Sequence, residues 1–190
     1  MKRLLFILMC TTVCTFCGPY TFEAIAQQAP SEAAKLSHEE RAARRAERLA
    51  EFERTIDSVV MSHNFQFNPQ SVEMLPAGST QFLMNPNYMV TVLRGSVDVC
   101  LPYYTGYTPP YRYVLLNTGS PSLTDFVTQQ TEDGWVVTFK CYLYASTQYT
   151  FHFDINKRYG GATLTITNPW YNAVQYSGTI TKVDLSAACM

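Results

Sequence analysis

From Phe65 onward, apolar side chains recur at every second residue through most of the chain, and this period constrains the fold more than any other feature. The clearest runs flank Glu132-Asp133-Gly134, with Leu123 to Gln130 before it and Trp135 to Leu143 after it. Asp-Gly between alternating segments predicts a tight hairpin. Trp135, Val137, Phe139, Cys141 and Leu143 then share one face, and Thr138, Lys140 and Tyr142 take the other. Tyr149, Phe151, Phe153 and Ile155 continue the pattern against Gln148, Thr150, His152 and Asp154. Ala162, Leu164 and Ile166 alternate with threonines, and Val174, Tyr176 and Ile180 close the series. Upstream, Phe65-Gln66-Phe67 starts a strand that Ser71 to Leu75 extends or follows. Tyr88 to Leu93 and Ser96 to Leu101 flank Arg94-Gly95, and Arg112 to Leu116 is a further apolar run.

About eight or nine short strands joined by tight turns imply antiparallel pairing. One apolar and one polar face per strand predicts a mainly β domain over residues 62–184. Its form is an antiparallel β-sandwich or a flattened, partly open barrel. No fixed-period repeat is visible.

Before the strands the period is helical. Ser37 and Glu40 form a capping box, and the helix is expected from His38 to about Met61. Ala42, Ala46, Leu49, Phe52, Ile56 and Val59 make its apolar stripe. The first half offers only alanine among arginines and glutamates. The second half is therefore expected to dock, and the first to project into solvent. Residues 27–36 read as a flexible leader and 185–190 as a tail.

The N-terminus reads as an export signal. Met1-Lys2-Arg3 is basic, Leu4 to Phe16 is largely apolar, and Ala24-Ile25-Ala26 supplies small residues before a cut between Ala26 and Gln27. The apolar run is short for a membrane span, which needs about 20 residues. Lipid attachment at Cys17 fits poorly after the bulky Phe16. Residues 1–26 are thus a secretory signal, no transmembrane segment is expected after its removal, and the destination is the periplasm or cell surface.

Removal of the signal takes Cys10, Cys14 and Cys17 and leaves Cys100, Cys141 and Cys189, an odd count. Cys100 with Cys141 is the candidate disulfide. Alternation argues against it, because Cys141 shares the Trp135 face whereas Cys100 shares a face with Asp98. The alternative is two small apolar residues.

Chemistry is hard to find. The 190 residues carry a formal charge of −1, which gives no electrostatic case for nucleic acid. His38, His63 and His152 lie on a helix start, a linker and a polar strand face. There is no His-Glu-x-x-His, no glycine-rich phosphate loop and no Cys-x-x-Cys after the signal. Neither Gly95-Ser96 nor Gly119-Ser120 has the context of a nucleophile elbow. The carboxylates of the β region (Glu73, Asp98, Asp125, Glu132, Asp133 and Asp154) show no pairing that spacing supports. No catalytic residue, metal ligand or cofactor is assigned.

The stretch LPYYTGYTPPY, Leu101 to Tyr111, packs four tyrosines and three prolines together. One reading is structural. Pro102, Pro109 and Pro110 end or edge strands, and the rings cover the open end of the domain. The other is a binding surface. Tyrosine joins a large apolar face to a hydroxyl at low entropy cost. Tyr103, Tyr104, Tyr107 and Tyr111 would form it, with Trp170 and Tyr171 from another turn if that loop lies at the same end.

Leu101-Pro102-Tyr103 after a hairpin strand, the run Gly161-Ala162-Thr163-Leu164-Thr165-Ile166, and Tyr176-Ser177-Gly178 resemble the bacterial domain-of-unknown-function family 4251. The resemblance covers about Glu53 to Val183. The family's usual Gly-Arg-Ala-like continuation of Leu-Pro-Tyr is replaced here by Tyr104 to Pro110. The resemblance implies a small exported protein of Gram-negative bacteria and transfers no functional residues. The expected function is a non-enzymatic periplasmic or cell-surface β-domain that binds a small ligand or a protein partner. Rival readings are an envelope assembly protein acting through its charged helix, and a hydrolase with an unrecognised site.

Overall fold

The computed structural model describes residues 38–76, 78–106, 110–144 and 147–183. Two compact units are distinguished, Met1–Arg41 and Ala42–Met190. Of the first, only the opening turn of helix α1 is described. Ser37, the signal with its Ala26–Gln27 cut, Tyr107 and Cys189 lie outside the described residues.

Helix α1 spans His38–Met61. It is followed by β1 (Phe65–Met74), β2 (Gln81–Phe82), β3 (Met89–Leu93), β4 (Ser96–Thr105), β5 (Arg112–Ser120), β6 (Leu123–Gln130), β7 (Gly134–Leu143), β8 (Thr147–Asn156), β9 (Gly161–Thr167) and β10 (Val174–Lys182). All pair antiparallel in one sheet of order β5-β4-β3-β1-β10-β9-β8-β7-β6, with β2 appended to β1. Because β1 pairs with both β3 and β10, the ladder runs unbroken across its centre. A two-sheet sandwich is therefore not formed. The sheet curls into a half-barrel, the partly open alternative.

The alternation read from the sequence selects the concave face. Val137, Phe139, Cys141 and Leu143 on β7 and Phe151, Phe153 and Ile155 on β8 are fully buried. Phe153 packs edge-on against Phe65 and Phe67, at ring separations of 5.4 and 5.7 Å. Since β8 and β1 are not neighbours in the sheet, these contacts cross the interior and hold the curl.

Two interruptions break the period. β1 slips register between Pro69 and Ser71, which inserts Gln70 as a bulge. β6 slips between Thr124 and Val127, and Asp125 there has φ +53°. The slip lets Phe126 stack on Phe139 at 5.6 Å.

β5 and β6 are the two edges of the sheet yet are consecutive in the chain, so Pro121-Ser122 crosses the opening. The Leu123 N–H donates to the Gly95 carbonyl at 3.1 Å. The Tyr144 hydroxyl donates to the Leu115 carbonyl and accepts from the Asn117 N–H, both at 3.3 Å. It thus occupies part of an edge that would otherwise offer unpaired main-chain groups.

The second half of α1 docks through Ile56, Val59 and Val60, while Ala42–Arg48 is exposed on every side. Gly160, at φ +63°, lies beneath Phe52 and Ile56. A Cβ there would sit 3.2 and 3.3 Å from their carbons. The Trp135 indole N–H donates to an Asp57 carboxylate oxygen at 2.7 Å, tying helix to sheet. Asp57→Ala strands this largely buried N–H, and hydrogen bonds to charged groups contribute about 1.5–3 kcal/mol. We expect a denaturant midpoint lowered by that amount and an altered Trp135 fluorescence. Asp57→Asn, which keeps an acceptor, should recover most of the loss.

Candidate functional site

The tyrosine stretch does not end the strand at Leu101. β4 runs on to Thr105 with Pro102 inside it. The two-residue Arg94-Gly95 turn makes Leu93 and Ser96 the first hydrogen-bonded pair of the β3–β4 hairpin. Ser96, Asp98, Cys100 and, by the period of two, Pro102 and Tyr104 then direct their main-chain groups toward the β3 side. But β3 ends at Met89, opposite Cys100. Pro102 therefore lacks its N–H where no strand requires it. Its carbonyl is taken instead by the buried Tyr176 hydroxyl, which donates at 2.7 Å.

Beyond Met89 the far half of β4 has no partner strand on that side among the described residues. β2 pairs only with Ser71 and Val72 of β1. The gap between β2 and β4 is a cleft of about 410 Å³. Its walls are Val72 and Met74 of β1, Gln81 of β2, Tyr104 of β4, and Pro110 and Tyr111 of the β4–β5 connection, with Gly78 and Ser79 at the rim. The Tyr104 hydroxyl donates to Gln81 Oε1 at 2.5 Å, spanning the gap. Tyr113 stands edge-on to Tyr104 at 5.9 Å and shares a 3.0 Å hydroxyl contact with Tyr88.

Burial, followed by the nearby Tyr88 phenol, raises the Tyr104 pKa. The hydrogen bond with Tyr88, followed by burial, pushes Tyr113 up to about 12. Both are neutral at physiological pH. Among the described residues, the cleft wall contains no carboxylate, amine, imidazole or thiol. It can offer apolar contact, phenol and amide hydrogen bonds, and the unpaired main-chain edge of Tyr104.

The six aromatic candidates separate. Tyr104 and Tyr111 line the cleft. Tyr103 is a correction: it is fully buried in the concave core, with its hydroxyl accepting from Asn168 Nδ2 at 3.0 Å, and it cannot be a surface contact. Adjacent strand residues face opposite sides, so Tyr103 and Tyr104 could not share one surface. Trp170 and Tyr171 lie on the β9–β10 turn, where their N–H groups donate to Asn168 Oδ1 at 2.8 and 2.9 Å. They are largely exposed and are not part of the cleft wall. Nothing in the sequence marks Val72, Met74 and Gln81 as cleft residues. The sequence gives these two strands, β3 and β4, equal lengths, Tyr88 to Leu93 and Ser96 to Leu101, and the extension of β4 past the end of β3 emerges only in the fold.

The disulfide considered between Cys100 and Cys141 does not form. Both thiols are free, Cys100 half-buried on β4 and Cys141 buried on β7. Alternation sends them to opposite faces of the sheet. Among the described residues, no three His, Cys, Asp or Glu side chains converge as metal ligands. No described helix is long and apolar enough to cross a membrane.

Fold and cleft together define a helix-capped antiparallel half-barrel with an uncharged opening between two strands. The chain belongs to the DUF4251 family, a domain of unknown function whose family model matches residues 47–180. A crystal structure of a DUF4251 family protein from Bacteroides eggerthii DSM 20697 is similar, with a TM-score of 0.56 and 19% identity over 70% of this chain and 89% of that one. At that identity the likeness concerns the fold. Comparison with curated proteins yields no match.

Proposed function

We propose that this chain is an exported, non-enzymatic β-domain of the bacterial envelope that holds a small, uncharged, largely apolar ligand between β2 and β4. The observation that carries the reading is the cleft itself: apolar walls, a few converging polar groups and no ionisable acid or base at neutral pH. Export rests on the basic, apolar and Ala-x-Ala pattern of residues 1–26. A second reading, envelope assembly through α1, is favoured by the exposure of Ala42–Arg48 on all sides.

Native mass spectrometry of the chain recovered from an envelope fraction tests both. The expected result is a polypeptide starting at Gln27 that carries extra mass released on denaturation. Tyr104→Ala removes a ring and a hydrogen bond worth about 1–2 kcal/mol together, so the adduct should weaken about tenfold. A bare chain in wild type and variant alike would reject the ligand reading and favour the helix.

A further inference from the structure

The convex face of the half-barrel carries a second groove that shares no residue with the cleft between β2 and β4. It crosses β8, β9, β10 and β1 and has a volume of about 350 Å³. The strand register sets its floor. Asp154 lies opposite Thr163, and Thr163 opposite Ser177. Neighbouring strands are about 4.8 Å apart, so a carboxylate and two hydroxyls stand in a row at that interval. At the β1 end, the bulge at Pro69/Ser71 presents the Gln70 amide toward solvent.

At the other end stands Tyr159, 69% exposed. Its ring lies over Gly161, so that a Cβ at Gly161 would come within 2.8 and 2.9 Å of two ring carbons. The turn beneath it is fixed by the Arg158 N–H donating to Asn156 Oδ1 and the Gly160 N–H donating to the Asn156 carbonyl, both at 3.0 Å. Gly178 keeps the floor flat for a separate reason. There a side chain would run into the Asn68 carbonyl on the bulged strand.

We propose that this groove is a binding site for a neutral saccharide. Sugars present an apolar C–H face and a polar edge. The groove answers with an exposed, pre-positioned phenol ring and a line of one carboxylate and two hydroxyls about 4.8 Å apart, with the Gln70 amide at its β1 end. Asp154 can accept from two neighbouring hydroxyls at once. Among the described residues it is the only charge lining the groove, and no Lys, Arg or His lines it, so acidic sugars are disfavoured. Because Tyr159 is held by its turn, little ordering is needed on binding.

The test is a titration of the isotope-labelled full chain with maltotetraose, cellotetraose and N,N′-diacetylchitobiose, all neutral, read by amide NMR. At least one should give saturable shifts at Gly161, Thr163, Ser177 and Gly178, with a Kd on the order of 1 mM. Tyr159→Phe keeps the stacking face and should bind within about twofold of wild type. Tyr159→Ala removes the ring, and Gly161→Ala pushes an exposed side chain aside without straining the backbone. Each should weaken binding about tenfold while leaving the buried Trp135 indole signal in place. Absence of saturable shifts with all three sugars at about 20 mM would overturn the proposal. So would shifts of equal size in Tyr159→Ala. Either result leaves the β2–β4 cleft untouched, since Tyr104 and Gln81 report on that site separately.

Discussion

Phe153→Ala is expected to remove about 3–5 kcal/mol of folding stability, the range for deleting a buried phenylalanine ring. Phe153 is fully buried and touches Phe65, Phe67 and Phe139, with ring separations of 5.4, 5.7 and 6.0 Å. The first two belong to a strand that β8 does not pair with. Truncation therefore opens a cavity and also cuts the contacts that join the two flanks of the curl. Aromatic pairs add about 0.5–1.5 kcal/mol beyond their area, which places the loss toward the upper end of the range. A domain of this kind has about 5–15 kcal/mol in hand, so at the low end of that range the variant sits close to its unfolding limit at 25 °C. Equilibrium urea unfolding would read the change. Val127→Ala, at an edge position 56% exposed, should stay within about 0.5 kcal/mol of wild type. A Phe153→Ala loss as small as that control would mean the interior is not organised around this ring.

The second large effect is alkaline unfolding. Burial pushes the Cys141 thiol up to about 12 and raises the phenols of Tyr103 and Tyr176 well above their ordinary value. All three side chains are fully buried. A raised folded pKa means that the native state holds the proton where the unfolded chain has released it. The native state then binds more protons, and stability falls as pH rises. The decline starts near the ordinary thiol value of about 9, where Cys141 alone contributes, and steepens near 10, where the tyrosines join. Each group contributes about 1.4 kcal/mol per pH unit, so the slope above pH 10 approaches about 4 kcal/mol per unit. Summed to about pH 12, this rivals the whole stability of a small domain. Circular dichroism against pH should show a flat plateau to about pH 9 and cooperative loss by about pH 11–12. Cys141→Ala should move the onset up to about pH 10. A plateau reaching past pH 12 in wild type would contradict the burial of these groups.

How far the sequence reveals this molecule depends on how local each cause is. The faces of β7 and β8 follow from alternation alone, because the Asp133-Gly134 turn and the period of two are both local. The opposite placement of Cys100 and Cys141 follows from the same rule. Strand ends are less legible. Pro102 reads as a terminator, since a proline cannot donate to a ladder. It is tolerated because the strand that would need the donor has already ended, a fact set by β3 and not by β4. The bulges at Gln70 and Asp125 shift the period by one residue and so blur the pattern on which face assignment rests. The cleft inherits this difficulty. Tyr104 and Tyr111 stand out by their chemistry, whereas Val72, Met74 and Gln81 look like ordinary strand residues until β2 and β3 leave a gap beside them. Composition groups Tyr103 with its neighbours, whereas its position in a strand sends it inward.

The strand order carries a consequence for how the chain acquires its shape. Both margins of the sheet, β5 and β6, come from the middle of the sequence, while its central seam joins β1 to β10 and pairs Phe65 with Lys182. Hairpins such as β3–β4 and β7–β8 close over short loops, but that seam must wait for nearly the whole chain. Non-local pairing of this kind favours folding in milliseconds to seconds over microseconds. A chain shortened at its C-terminal strand would lose the junction between its two halves and keep its margins. The two halves are thus left unjoined until the last strand arrives, and β10 acts as the clasp of the whole sheet.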